Sequence, residues 1–502
     1  MPNFKPLATV SLGVLAAFAF GDGDAWTQYG GGAQHHATGL ARLQSLTKII
    51  WSTPVDRMPQ YNGVDLLWHY TPPMITELGT VVVPVKTSAT GDFVVEGHRG
   101  SDGKLLWTSS TDYILPPHRW GPVIGAALVA PKSEDENFGV VVAASGGTLM
   151  FRSSADRVTS RTSRLSFYGL ANYVANKAAM DGSVFINTPL TVDHHGNVYF
   201  GYQVTGANPL NLQSGIARVN VGGNVRFASV PVATGGLSSG KVKTNCGPAL
   251  SADESTVYFS VNGGTPYLVS VDARTLAPKH IAPLNDPISG ATANVLDDGT
   301  ECPMVAPNGD VFYGVLENPW LSNHDRGYML HFDRNLSLAG VPGDFGWDDT
   351  ASLVPSSAVP SYHGTSRYLI LTKYNNYIGI GGDGHNKIAI LDPFNSQTDP
   401  QTNSLVMKEV ISVLGVTPDG DGVGAKVREW CVNSSAIDVA GKCALLNSED
   451  GKCYRWDFRT NTLAQTLALT AGIGEAYTTT IIGPNGRGYA ISNASLYVVG
   501  SR

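Results

Sequence analysis

Charge and cysteine are both scarce in this chain of 502 residues. Only 15% of the residues are Asp, Glu, Lys or Arg, against 42% that are hydrophobic, a balance that excludes an intrinsically disordered chain. There is no basic excess. The net charge is −7, so no positive field is available to hold nucleic acid or an anionic membrane surface. The five cysteines (Cys246, Cys302, Cys431, Cys443, Cys453) are too few for a disulfide scaffold, and none forms a CxxC, a haem-attaching CxxCH or an adjacent pair. Helical periodicity is nearly missing as well; Tyr168 to Met180 is the one plausible short helix, read as an insertion in a loop.

Long apolar runs are confined to the start of the chain. Lys5 gives a weakly positive beginning, Leu7 to Phe20 is apolar, and Ala17, Ala19 and Gly21 offer small residues for cleavage. Residues 1–21 therefore read as an export signal, with a retained anchor or a buried first strand as the alternatives. Residues 22–502 are expected to form a single extracytoplasmic domain, secreted or periplasmic, monomeric and without a further membrane span.

Glycine, by contrast, is abundant (57 residues), as tight turns require, and the turns punctuate a repeat. Thr188-Pro-Leu-Thr-Val-Asp-His-His-Gly-Asn-Val-Tyr-Phe200 matches Gly247-Pro-Ala-Leu-Ser-Ala-Asp-Glu-Ser-Thr-Val-Tyr-Phe259 and Cys302-Pro-Met-Val-Ala-Pro-Asn-Gly-Asp-Val-Phe-Tyr313. Weaker copies start near Pro72, Gly121, Ser357, Ser434 and Thr478, making eight units. A later strand in the unit ends on Asp272, Asp333, Asp392 or Asp457, with Thr or Asn two or three residues on, the chemistry of a side-chain-capped turn rather than of a metal ring. Asp102-Gly103 and Asp450-Gly451 are hairpin turns. Many short strands in blade-length units select an all-β fold: an eight-bladed β-propeller of four-stranded antiparallel blades. The last unit stops one strand short, and the orphan strand Leu46 to Val55 is expected to complete it.

The segment Trp26-Thr-Gln-Tyr-Gly-Gly-Gly-Ala-Gln-His-His-Ala-Thr-Gly39, the strand Asp-Gly-Lys-Leu-Leu-Trp107 and the unit Gly-Asn-Val-Tyr-Phe200 resemble the pyrroloquinoline-quinone-like (PQQ-like) repeat propellers. The resemblance runs from Trp26 to Gly500 and implies the fold. It does not carry the cofactor over: quinone-dependent dehydrogenases of that family place a disulfide between neighbouring cysteines against the quinone and hold a calcium or lanthanide ion with carboxylates, and neither motif has a counterpart here. PQQ with calcium is thus possible on family grounds and unsupported by motifs.

Loops entering the first strand of each blade crowd one mouth of a propeller's channel, a natural concave site. Polar and aromatic residues occupy that position: His69 (with Trp68 and Tyr70), His118, Arg119, Trp120, Asn187, Asn245, Glu301, Glu429, Trp430, Glu475 and Tyr477. The carboxylates and histidines could bind a cation or sugar, or serve as acid and base on a polysaccharide; Trp68, Trp120, Trp430 and Tyr477 would stack on a ring. A wet rim of solvated side chains is the competing reading. The leading expectation is a binder of a small molecule, glycan or protein. An enzyme at the same mouth (quinone-dependent oxidoreductase, or polysaccharide lyase or hydrolase) and an envelope-assembly scaffold are the alternatives. Cys246 with Cys302 on neighbouring units, and Cys443 with Cys453 across one hairpin, are disulfide candidates, against buried free thiols.

Other motifs dissolve on inspection. Gly379 to Gly384 matches GxGxxG without a βαβ frame, and Ser238 in GxSxG lacks the strand-to-helix elbow of a nucleophile. Asp419-Gly-Asp421 opens like a calcium loop, but Val423 and Trp430 fall where oxygen ligands are needed. His35-His36 and His194-His195 are adjacent pairs whose side chains diverge, and no metal site is expected at either.

Overall fold

Each unit folds into its own small antiparallel sheet, and eight sheets follow one another as the blades of a β-propeller. The computed structural model describes residues 25–63, 65–131, 136–375, 386–400, 402–418, 427–471 and 478–502. Successive innermost strands are Met74–Ile75, Ala126–Val129, Thr191–Val192, Ala249–Leu250, Met304–Val305, Ser352–Pro355, Ala436–Asp438 and Ile481–Ile482. Second strands such as Thr256–Asn262 and Val311–Val315 are buried along their whole length. Their Val-Tyr-Phe side chains are covered from both sides, so these strands read as apolar runs. Outer strands such as Thr462–Ala468 alternate exposed and half-buried residues, because one of their faces meets water.

The turn chemistry holds. Asp272 Oδ1 accepts from the Arg274 and Thr275 backbone N–H groups, Asp333 Oδ1 from Asn335 and Ser337, and Asp457 Oδ1 from Arg459, each on a separate blade. Gly103 and Gly451 take positive φ (74° and 73°) in the expected hairpins. The expected helix is two short ones, Leu170–Ala175 and Lys177–Asp181, between blades two and three. Two details differ. Blade six begins at Ser352 rather than Ser357, which lies in a 3-10 turn after the strand. Blade five has three strands, its outer edge made instead by isolated bridges from Phe332 to Leu338 and Met329 to Gly343.

The ring closes as expected: Lys48–Pro54 pairs antiparallel with Ser495–Gly500 and completes blade eight. A second closure lies inside it. Residues 26–40 run past the inner strands of all eight blades in order. Trp26 exchanges both backbone bonds with Ile75, Thr27 accepts from Leu128 N, and the Gln28 carboxamide brackets the Val192 backbone. Ala33, Gln34, His36 and Ala37 carbonyls then accept from Leu250, Val305, Leu353 and Ile437, and Leu40 donates to Ile482. Innermost strands would otherwise present open edges; this strip pairs backbone groups on every one of them. Gly30 makes its turn possible: at φ +62° a Cβ would stand 2.7 Å from the His35 Cα.

His35 and His36 are the strip's grip on blade five. Their rings bond the Pro303 and Val305 carbonyls at 2.8 and 2.7 Å. Burial holds His35 neutral, lowering it to about 4 from the ordinary 6.5. The unfolded chain therefore takes up that proton first, and the associated stability is complete above pH 6.5 and lost as pH falls towards 4. Asn tolerates the positive φ of His35 and does not titrate. The stability advantage of wild type over His35→Asn should shrink by up to about 3 kcal/mol between pH 7 and pH 4, measured by urea unfolding. An advantage that stays constant over that range would contradict a buried neutral His35.

Candidate functional site at the propeller axis

Chain entering the innermost strands of blades four to seven is tied together by buried polar side chains. Lys243 Nζ lies 3.0 Å from Glu301 Oε1 and donates to the Gly299 carbonyl at 2.5 Å. Thr300 donates through N and Oγ1 to Asp348 Oδ1 (2.7 and 2.5 Å), and Asp348 Oδ2 stands 3.5 Å from Lys373 Nζ. Asn433 of blade seven donates to both Thr300 oxygens, and Tyr29 of the N-terminal strip reaches the Thr350 hydroxyl at 3.1 Å. Lys243, Glu301 and Lys373 are all at most 1% exposed. Glu301 needs the glycine beside it, since a Cβ on Gly299 would fall 2.2 Å from Oε2.

Charge in so dry a place is strongly coupled. Burial raises the Glu301 carboxyl, with Lys243 opposing. Burial works against the Lys243 ammonium, but Glu301 together with Cys246 and Cys302 outweighs it and holds the lysine above its ordinary value. Asp349 is pushed far above the ordinary carboxyl range by burial, against Lys373. His69 is also within this field: burial lowers it to about 4, with Asp348 opposing and both lysines adding to the shift.

The expected mouth residues divide into groups. Glu301 and His69 belong to the cluster. Asn187 and Asn245 are buried staples: Asn187 donates to the Val242 carbonyl, while Asn245 accepts from Val123 N and donates to the Asp297 carbonyl. His118 and Arg119 are exposed, the former edge-on to Trp68 at 5.9 Å, and Trp120 is half-buried with its ring 6.0 Å from that of His69. Trp68 is buried under Lys86, whose Nζ lies 4.5 Å from its ring centre. Glu429 is half-buried and engaged through its carbonyl, which accepts from Ser448. Trp430 is no stacking surface: it is 1% exposed and packed against Tyr454 between blades six and seven. Glu475, Tyr477, Asp419, Asp421 and the Gly379 to Gly384 motif lie outside the described residues.

Sequence reasoning missed Lys243, Asp348, Asp349 and Lys373. A signal existed for two of them. Asn187, Asn245 and Glu301 stand three or four residues before their inner strands, and the same offset from Ser352 lands on Asp348 and Asp349. Misplacing the start of blade six hid them. Lys373 sits near the end of the second strand Tyr368–Tyr374, where alternation gives no hint of an inward charge.

Both disulfide expectations fail, and all five cysteines are buried free thiols. Cys302 Sγ accepts from Gly247 N at 3.1 Å and Cys246 Sγ from Ser260, so each sulfur is engaged locally. In blade seven the register pairs Cys443 with Asp457 and Cys453 with Asn447. The two thiols thus sit at opposite ends of the hairpin, four residues or about 13 Å apart along the strand. Ser238 Oγ accepts from Gly240 N in a loop, as expected of a chance motif.

A scan of family models and a search of curated proteins give no match to the chain. Solved structures do resemble it. BamB from Moraxella catarrhalis aligns at 12% identity over 91% of this chain and 98% of its own, with a TM-score of 0.47. The C-terminal WD40 domain of Sif2 aligns at 10% identity over 92% and 99%, with a TM-score of 0.46. The quinohemoprotein alcohol dehydrogenase ADHIIG from Pseudomonas putida HK5 aligns at 11% identity over 95% and 76%, with a TM-score of 0.53. That last overlap, joined to the eight sheets, shows an eight-bladed β-propeller. At such identity it speaks for architecture alone.

Proposed function

We propose that the protein is an extracytoplasmic binding propeller that holds a small neutral or cationic molecule rich in hydrogen-bond donors, such as a polyol or sugar end group, at the axial cluster. One observation carries this reading. Asp349 is 2% exposed, yet its Oδ2 accepts no hydrogen bond, and the same is true of the fully buried Asn187 Oδ1. Buried polar atoms are nearly always satisfied, so buried acceptors left open favour a ligand that donates. The export signal read in residues 1–21 supports the location.

A quinone with calcium, possible on family grounds, finds no support in the described residues. Among them no three His, Cys, Asp or Glu side chains are placed to hold one ion, and both axial lysines already face carboxylates. Trp430, one of the rings that could stack on a quinone, is in the core.

Calorimetric titration with neutral sugars, polyols and polyamines tests the reading. Saturable binding by one class is expected, weakened about tenfold by Asp349→Asn, the scale of one lost hydrogen bond. Absence of saturable binding across the panel, or an unchanged affinity in the variant, would remove the proposal.

A further inference from the structure

On the flank of blades three and four, three arginines line one cleft of about 380 Å³: Arg218, Arg226 and Arg274, with Asn224 and Thr275 beside them. Arg218 and Arg226 stand directly opposite each other on the strands Gly215–Asn220 and Val225–Ser229. Like charges in that position repel and destabilise a sheet. Arg274 joins them from the turn after Tyr267–Asp272 of the next blade. Among the described residues none of the three forms an ion pair, although the protein as a whole is acidic. The Arg218 Nε is buried without a hydrogen-bond partner, although its guanidinium bears on the Tyr199 hydroxyl, and among the described residues the Arg226 guanidinium takes only the neighbouring Val225 carbonyl.

The repeat itself supplies the comparison. Asp272-Ala-Arg274-Thr in blade four and Asp457-Phe-Arg459-Thr in blade seven are the same turn. In blade seven the arginine folds back, reaching Asp457 at 3.3 Å and the Gly441 carbonyl at 2.8 Å. In blade four it turns to a cleft that already holds two guanidinium groups. The turn therefore does not require an arginine left open to the cleft.

We propose that this cleft binds a tetrahedral oxyanion, the sulfate or phosphate group of a small molecule or glycan, at a site separate from the axial cluster. Guanidinium forks approaching from two strands and a turn match oxygens arrayed in three dimensions, and each bond would be charge-assisted. An oxyanion also removes the repulsion that the strand pair bears.

The test is titration with inorganic sulfate and inorganic phosphate, at constant ionic strength set with chloride, followed by amide NMR or calorimetry. Saturable binding is expected, weakened about tenfold by Arg226→Gln and lost in Arg226→Gln/Arg274→Gln, while Arg459→Gln binds as wild type. Arg226 and Arg274 are exposed, so both variants should fold. Succinate, a planar-carboxylate dianion, should bind at least about tenfold more weakly. A sulfated oligosaccharide and a sugar phosphate, titrated into wild type and the double variant, then identify which ester the site takes. Binding that is unsaturable, equal for succinate, or equally reduced by Arg459→Gln is general charge attraction and overturns the proposal. Its failure would leave the axial reading untouched, since Asp349→Asn does not enter it.

Discussion

Trp26→Ala is expected to destabilise the propeller by about 3–5 kcal/mol, the range for removing a large buried aromatic side chain. The indole is fully buried, and its six-membered ring lies 3.4 Å from where a Cβ on Gly31 would stand. It opens the strip that crosses the eight inner strands, at the point where the backbone pairs with Ile75. A propeller without that anchor leaves inner-strand N–H groups of several blades seeking water. The loss should therefore appear as a lower and broader unfolding transition by calorimetry, with inner-strand amides of blades one and two gaining hydrogen exchange first. A sharp transition at the wild-type temperature would show that the outer closure by Lys48–Pro54 suffices alone.

Lys86→Met should cost a similar amount, about 3–5 kcal/mol, for an electrostatic reason. Lys86 and Asp56 are 1% and 4% exposed and paired at 2.9 Å, and Met58, Gln60 and Ser88 oxygens complete the ammonium's shell. The pair fastens the chain leaving the closing strand to blade one, where Arg57 N and Lys86 N also exchange backbone bonds with Lys86 and Val55. Methionine keeps the stem's packing against Trp68 and strands the Asp56 carboxylate, which retains only Tyr70 and the Met58 N–H. Asp56→Asn/Lys86→Met should recover much of the loss in denaturant unfolding, because no buried charge is then left alone. A double variant as unstable as the single would place the cost in packing.

Several parts of this molecule were open to reading before folding. Val-Tyr-Phe strands, Asp-capped turns and the orphan strand at Lys48–Pro54 all follow local rules, so repetition made them visible. The site was less legible. Glu301 and His69 were found because they precede recognisable inner strands, whereas Trp430, further back in the same kind of segment, turned into the core. Position in a repeat fixes where a backbone goes but not which side of it a side chain will find room.

The amino-acid sequence by itself determined the blade count, the turn positions and the closing strand, since each rests on periodicity and neighbours within about ten residues. Only the tertiary structure decided the rest. It brought Lys243 to Glu301, Thr300 to Asn433 and Arg274 to Arg218, and it ran residues 26–40 past all eight blades. It also set Cys443 against Asp457 instead of Cys453. These are contacts between groups on different blades, or matters of register. They depend on how eight sheets curve into one ring, and no local pattern encodes that geometry.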